Sequence, residues 1–488
     1  MRPTKSIKAL TLLAFCGVLA GCNFRFQAGS QIPPPGSAPV VLAMTDTPPT
    51  NVSFLSAEVT LTGATLNPGN VSLLTTPATL EITRLQTDIA YLSKTNVNAG
   101  NYTSLVLTFA NPSLTIENDT GSAIVSGGTT CNIGSICTIP PTTIANLSTT
   151  ITIPTLAISA NTGAGLLVDL NLDKLFSATL GADFKTGATV SEFSPGGSGA
   201  PLVGAEDVVG QVGSIDTIHN TFSFKLQSSL PPPSLPPLTV DSMTTKFFNF
   251  PAVACTTPSF QCLKDGQIVS VDISIRFDGT AVARSVLFED SDSSKTEVEG
   301  IITSTNVGPQ QFTIVAVAES AAFGGPLFGT SGGLTIGEPA TVTYTVATTF
   351  DLDFTHADTV QVDSSCCLFR SPADLSVGQQ VQVRAINNVP GNSITVDRVR
   401  LRSSRITATV QPPASNSIPL TNVPSIFSGH SVTQIQAQTF PGITIFSENN
   451  NLINISLIPN SGVVSVRGPL FNVSGARTLV ATKVVLKP

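Results

Sequence analysis

The chain has no tryptophan, three tyrosines, three histidines and three methionines in 488 residues, and only 11% of its side chains are charged. Each scarcity excludes something. Carbohydrate modules stack sugar faces on Trp and Tyr platforms, so a chain with only Tyr91, Tyr102 and Tyr344 is poorly equipped for a stacking glycan site. His219, His356 and His430 stand at no ligand spacing from any cysteine pair, and a zinc constellation needs that spacing. A net charge of −7 opposes nucleic acid and an electrostatic hold on anionic lipid, both of which call for basic surface. Past residue 22 no apolar run reaches the ~20 residues that a spanning helix requires.

What is abundant is Thr, Ser, Val and Ile, punctuated by 38 Gly and 35 Pro. These residues suit pleated, half-buried surfaces and tight turns, so the expected class is all-β.

The N-terminus carries a second signal. Arg2, Lys5 and Lys8 precede an uncharged apolar stretch from Ala9 to Leu19, which is too short to remain as a membrane span. It ends in Leu19-Ala20-Gly21-Cys22, which resembles the bacterial lipobox. That resemblance implies a signal peptide over 1–21, acylation of Cys22 as the new N-terminus and a stable hold on the membrane through its acyl chains. Asn23 rather than Asp after the cysteine favours the outer over the inner membrane. Loss of three cations with the signal would leave the rest near −10. Residues 22–39, with Ile32-Pro-Pro-Pro-Gly-Ser-Ala-Pro39, read as a tether with nothing to bury.

Six further cysteines remain. Cys131 and Cys137, and Cys255 and Cys262, bracket short loops and are expected to form two local disulfides, as export to an oxidising compartment permits. Cys366 and Cys367 are adjacent; a vicinal bridge and free thiols are both open.

From Val40 to about Phe176 short alternating segments recur between Pro, Gly and Asn: 40–43, 56–61, 71–74, 78–85, 104–109, 149–153 and 166–172. Seven short strands suggest a sandwich over 40–188. Val41-Leu-Ala-Met-Thr-Asp-Thr-Pro48, the segment Leu73 to Leu92 and Asn98-Ala-Gly-Asn-Tyr-Thr103 resemble the bacterial domain of unknown function numbered 4382. The resemblance covers about 140 residues and implies a prealbumin-like or Ig-like sandwich, with no activity attached.

After an expected Gly/Ser/Pro linker at 189–205 a repeat begins. Three nine-residue segments align without a gap: Thr280 to Phe288, Ser393 to Leu401 and Thr478 to Leu486, each with Val at its seventh position. Upstream of them lie Gly266-Gln-Ile-Val-Ser-Val271, Gly378-Gln-Gln-Val-Gln-Val383 and Gly462-Val-Val-Ser-Val466. Two ordered motifs recurring three times mark repeated units, over 206–290, 297–403 and 404–488. Val286, Val399 and Val484, followed two residues on by Phe288, Leu401 and Leu486, should then share an inward face. The units resemble the domain of unknown function numbered 5666, which implies three small OB-like β-barrels; the third lacks the opening glycine.

Local chemistry is sparse. Gly329-Thr-Ser-Gly-Gly333 matches the letters of a nucleophile elbow, but Ser331 has no helical pattern after it, so catalysis is not expected there. Asp169, Asn171 and Asp173 stand at calcium-loop spacing, yet Lys174 occupies the place of the turn glycine and the alternation reads as a strand. Asp290-Ser-Asp-Ser-Ser294 reads as a solvated acidic link. The expectation is a non-enzymatic envelope lipoprotein without cofactor or metal, a binding or structural scaffold for an envelope protein or polymer, bound to the membrane by its lipid and not to nucleic acid. An uncatalogued extracytoplasmic hydrolase or a carbohydrate-binding protein is the alternative.

Overall fold

Strand-forming sequence dominates, and the computed structural model is all-β. It describes residues 36 to 487, apart from 48–52, 127, 140–143, 161, 177–180, 194–200, 227–236, 252–254, 277–279, 291–295, 306–308, 321–335, 354–366, 387–391, 413–415, 431–433, 441–443, 449–450 and 474–475. Among the described residues no helix is long and apolar enough to cross a membrane. The signal peptide, Cys22, Ser331, His356 and Cys366 lie outside the described residues.

The first unit is a sandwich. One sheet centres on Ser37–Thr47, which pairs antiparallel with Ala90–Asn98 and parallel with Ala164–Asn171; Ala188–Phe193 lies beyond the latter. The other runs Ser148–Ile158, Gly100–Glu117, Ser53–Asn67, Val71–Ser72, with Ala78–Glu81 and Ile136–Ile139 pairing onto it. Leu42, Met44, Leu61, Leu105, Phe109 and Leu170 fill the space between them. All seven expected segments carry strand, but 78–85 divides. Strand ends at Glu81, whose carboxylate accepts from the Thr83 amide and hydroxyl and starts a 3-10 turn over Ile82–Gln86. Order also begins before Val40, within the stretch expected to be tether.

The expected linker at 189–205 is strand at both ends, in Ala188–Phe193 and Pro201–Asp216. Next come two closed five-strand barrels with one connectivity. In the first, Pro201–Asp216, Thr221–Leu226, Leu238–Val240, Ile268–Arg276 and Ala281–Asp290 close through a parallel pairing of the third strand with the fifth. In the second, Thr296–Ser304, Gln311–Ser320, Pro339–Thr343, Gln380–Ala385 and Ser393–Leu401 close in the same way. The third unit repeats the circuit with Ser403–Val410, Ser417–Thr421, Gln434–Gln438, Val463–Val473 and a fifth strand broken into Ala476–Val480 and Lys483–Leu486.

The register explains the repeat. Val286, Val399 and Val484 pair with Val271, Val383 and Val466, and all three are buried, each worth about 1.5–3 kcal/mol over an exposed valine. The fifth position of each nine-residue segment is an irregularity: the ladder skips Arg284 and Asp397 and breaks before Lys483 at Thr482. The carbonyl just before it, of Ala283, Val396 or Ala481, accepts the hydroxyl of Thr245, Thr348 or Thr444 at 2.6–2.9 Å. Two residues on, Phe247, Phe350 and Phe446 pair in parallel beside the three valines. A Thr-x-Phe segment therefore seats on the closing strand of every unit.

Two sequence alignments shift by a residue. The left-handed turn of Gly266 and Gly378, with φ of 88° and 86°, falls in the third unit on Ser461 (φ 63°), not Gly462. Their amides donate to the carbonyls of Val212, Ile302 and Val410 alike. The opening glycine also has a reason. A Cβ on Gly210 or Gly300 would lie 2.6–2.7 Å from a carbonyl of the crossing second strand. Ala408 takes that register in the third unit, where the second strand pairs only with Thr409 and Val410.

Candidate functional site: a buried ionic junction

A strand that alternates Val or Leu with Arg would ordinarily turn its arginines to water. Arg398, Arg400 and Arg402 are instead buried, because the first barrel covers that face and brings Glu289 to it. Arg398 Nη2 contacts Glu289 Oε2 at 3.2 Å and Glu297 Oε1 at 2.7 Å. Arg400 joins Glu289 to Asp351, meeting Asp351 Oδ1 at 2.7 Å. Arg402 lies 3.1 Å from Glu289 and 2.8 Å from Asp353, and it donates to Ser270 Oγ. Asp290, expected in a solvated link, is nearly buried and binds Arg384. Residues 291–295 of that link lie outside the described residues.

A second cluster joins the sandwich to the later units. Asp88 holds Arg405 through two nitrogens, the nearer at 2.7 Å, and Lys483 at 3.6 Å, with buried Arg467 close by. Arg84 meets Glu299 at 3.0 Å, and Gln380 donates to the same carboxylate. Thr407 Oγ1 donates to Gln86 Oε1 at 3.1 Å, and Lys487 Nζ donates to the Asp46 carbonyl at 2.7 Å.

Burial penalises every one of these charges, and their neighbours decide the outcome. Burial alone would raise the Asp88 carboxyl, but Arg405, Lys483 and Arg467 outweigh it and hold Asp88 well below the usual range. Burial, opposed by Arg398 and reinforced by Glu289, pushes Glu297 up to about 7. The same penalty, only partly offset by Asp88, brings Lys483 down to about 8 and Arg467 down to about 10.

Apolar packing crosses the same boundaries. Ala43 and Ile89 of the sandwich belong to the first barrel's core, Phe471 and Val480 to the second's, and Leu55 to the third's. The units are therefore not beads on a string, as the expected linkers implied.

The sequence-derived candidates fare differently. Cys131 with Cys137 and Cys255 with Cys262 are joined as disulfides. Asp169 accepts from the Thr47 hydroxyl at 2.8 Å and Asn171 caps the Leu172–Leu175 helical turn, so both oxygens serve local structure. His219 pairs with nearby Asp216 in the first barrel, and His430 of the third unit pairs with Glu117 of the sandwich. Among the described residues no group of three or more His, Cys, Asp or Glu could hold a metal. The junction itself was missed by sequence reasoning; its signal is the clustering of Arg398, Arg400, Arg402 and Arg405 in a chain with only 24 basic residues. No model of a known protein family matches the chain, and no curated protein matches it either.

Proposed function

We propose that the chain is a non-catalytic, lipid-anchored scaffold of the bacterial cell envelope. It is held through Cys22 at the outer membrane rather than the inner one, and it presents its sandwich and barrels to another envelope protein or polymer. The observation that carries the reading is the use made of Glu289 and its arginines: a cluster of four buried charges is spent on joining units. Such pairing fixes the units against one another, which is the rigidity a scaffold uses. Support for a binding role comes from residues 120–168, which contain no Asp, Glu, Lys, Arg or His yet expose Val125, Ile133, Ile144 and Leu147. The resemblances to the two domains of unknown function belong to the same proposal, supported by a sandwich followed by three circuits of like connectivity.

Metabolic labelling with a clickable fatty acid, followed by detergent-phase partition, tests the anchor. The parent should label and enter the detergent phase, and Cys22→Ser should do neither. Equal labelling of the two would refute it.

A further inference from the structure

The sandwich strand Gly100–Glu117 ends against the Ser425–Ser428 helical turn of the third unit. Ser425 Oγ stands there between two carboxyl groups, 2.9 Å from Glu117 Oε2 and 2.7 Å from Asp119 Oδ1. Ser53 Oγ donates to Asp119 Oδ2, the amide of Ile426 donates to the Glu117 carboxyl, and His430 Nε2 lies 3.3 Å from Glu117 Oε1.

A hydroxyl has one proton to donate, and an ionised carboxylate has none. Both contacts of Ser425 are therefore attractive only if one of the two carboxyl groups carries a proton. Glu117 is the one that does. Its side chain is 3% exposed while Asp119 is open to solvent, and burial disfavours the charged form. That burial, reinforced by the Asp119 charge, raises the Glu117 carboxyl against the opposing pull of Ser425 and His430. The Glu117 O–H then donates to Ser425, and Ser425 donates to Asp119.

We propose that Glu117, Ser425 and Asp119 form a proton-operated latch between the sandwich and the third unit, closed while Glu117 is protonated and loosened when that proton leaves. Deprotonation sets two like charges about one hydroxyl and removes one of its two bonds. The strand positions beside Glu117, Ser53 and Ile136, add no charge. The third unit brings His430, and behind it Arg477, which lies against Gly429 and donates to Ser376 and the Val377 carbonyl. A carboxyl that holds its proton more tightly in the docked state stabilises that state fully below its ordinary value of 4.5, and the contribution is lost as pH rises through the raised value. His430 opposes burial, so it holds that loosening to a lower pH than burial alone would set.

The test is hydrogen exchange read by mass spectrometry on the full chain over a pH series, corrected for the intrinsic exchange rate at each pH. In the parent, peptides spanning 115–119 and 424–430 should lose protection together as pH rises. Glu117→Gln, whose amide can donate to Ser425 at every pH, should hold their protection constant. His430→Gln should keep the pH dependence, at the parent's pH or above it. A peptide spanning 281–290, in the first barrel, should match the parent in both variants and so report that they fold. Absence of the pH dependence from the parent, its persistence in Glu117→Gln, or its disappearance in His430→Gln, which would make the histidine the titrating group, each overturns the latch.

Discussion

Glu289 and Arg402 come from different units and meet at 3.1 Å with neither side chain touching solvent. Replacing such a buried group with an apolar residue leaves its partners charged and desolvated, which is where most of the cost lies. Glu289 accepts from Arg398, Arg400 and Arg402, so its loss takes a shared carboxylate from three buried cations at once, although Glu297, Asp351 and Asp353 stay beside them.

Glu289→Ala should therefore cost about 3–5 kcal/mol, read as the shift in a urea unfolding curve. A loss below about 1 kcal/mol, the range of an exposed pair, would mean that the junction is not buried in solution.

The Thr-x-Phe contact gives a smaller, local expectation. Thr348→Val keeps the shape but removes the hydroxyl from the carbonyl of Val396 and from the amide of Thr345. The cost should be about 1–3 kcal/mol, since a buried carbonyl loses its donor. Thr349→Val alters the neighbouring exposed position and should change stability far less. Equal effects of the two would contradict the role assigned to Thr348.

Glu58 sets a pH dependence. It faces Glu81 across the sheet, and burial together with that second carboxylate raises its carboxyl to about 7. A carboxyl that holds its proton more tightly in the folded chain stabilises the fold fully below its ordinary value of 4.5 and loses that contribution as pH rises through 7. Glu58→Gln preserves the neutral form. Its melting point should exceed the parent's above neutral pH, and the gap should close on acidification. A gap that is independent of pH would rule out Glu58 as the titrating group.

The all-β class, the threefold recurrence and the buried valines were legible because each rests on a short period or a fixed offset. Val286, Val399 and Val484 could be placed inward from alternation alone. The Thr-x-Phe segments were not legible, because the loops between them and the closing strands differ in length: Thr245 lies 38 residues before its carbonyl partner and Thr348 lies 48 before its own. The arginine face failed for a different reason. A polar strand face looks the same in sequence whether water or another unit covers it, and only the return of Glu289 from the preceding barrel decides the matter. Linkers were overread for the same cause, since Gly, Ser and Pro mark turns without saying whether the strands on either side pack together.

Buried ion pairs and shared cores make the sandwich and the three later units one mechanical body. Hydrogen exchange read by mass spectrometry across a denaturant series tests it most directly. Peptides from Ser37–Thr47, Ala281–Asp290, Ser393–Leu401 and Val463–Val473 should lose protection together, at one denaturant concentration. In Val399→Asp, where a charge is placed at a wholly buried position of the second barrel, all four should shift together to a lower concentration. Stepwise loss, with the second barrel's peptide opening first and the others keeping the parent's midpoint, would mean that the units unfold as four independent domains.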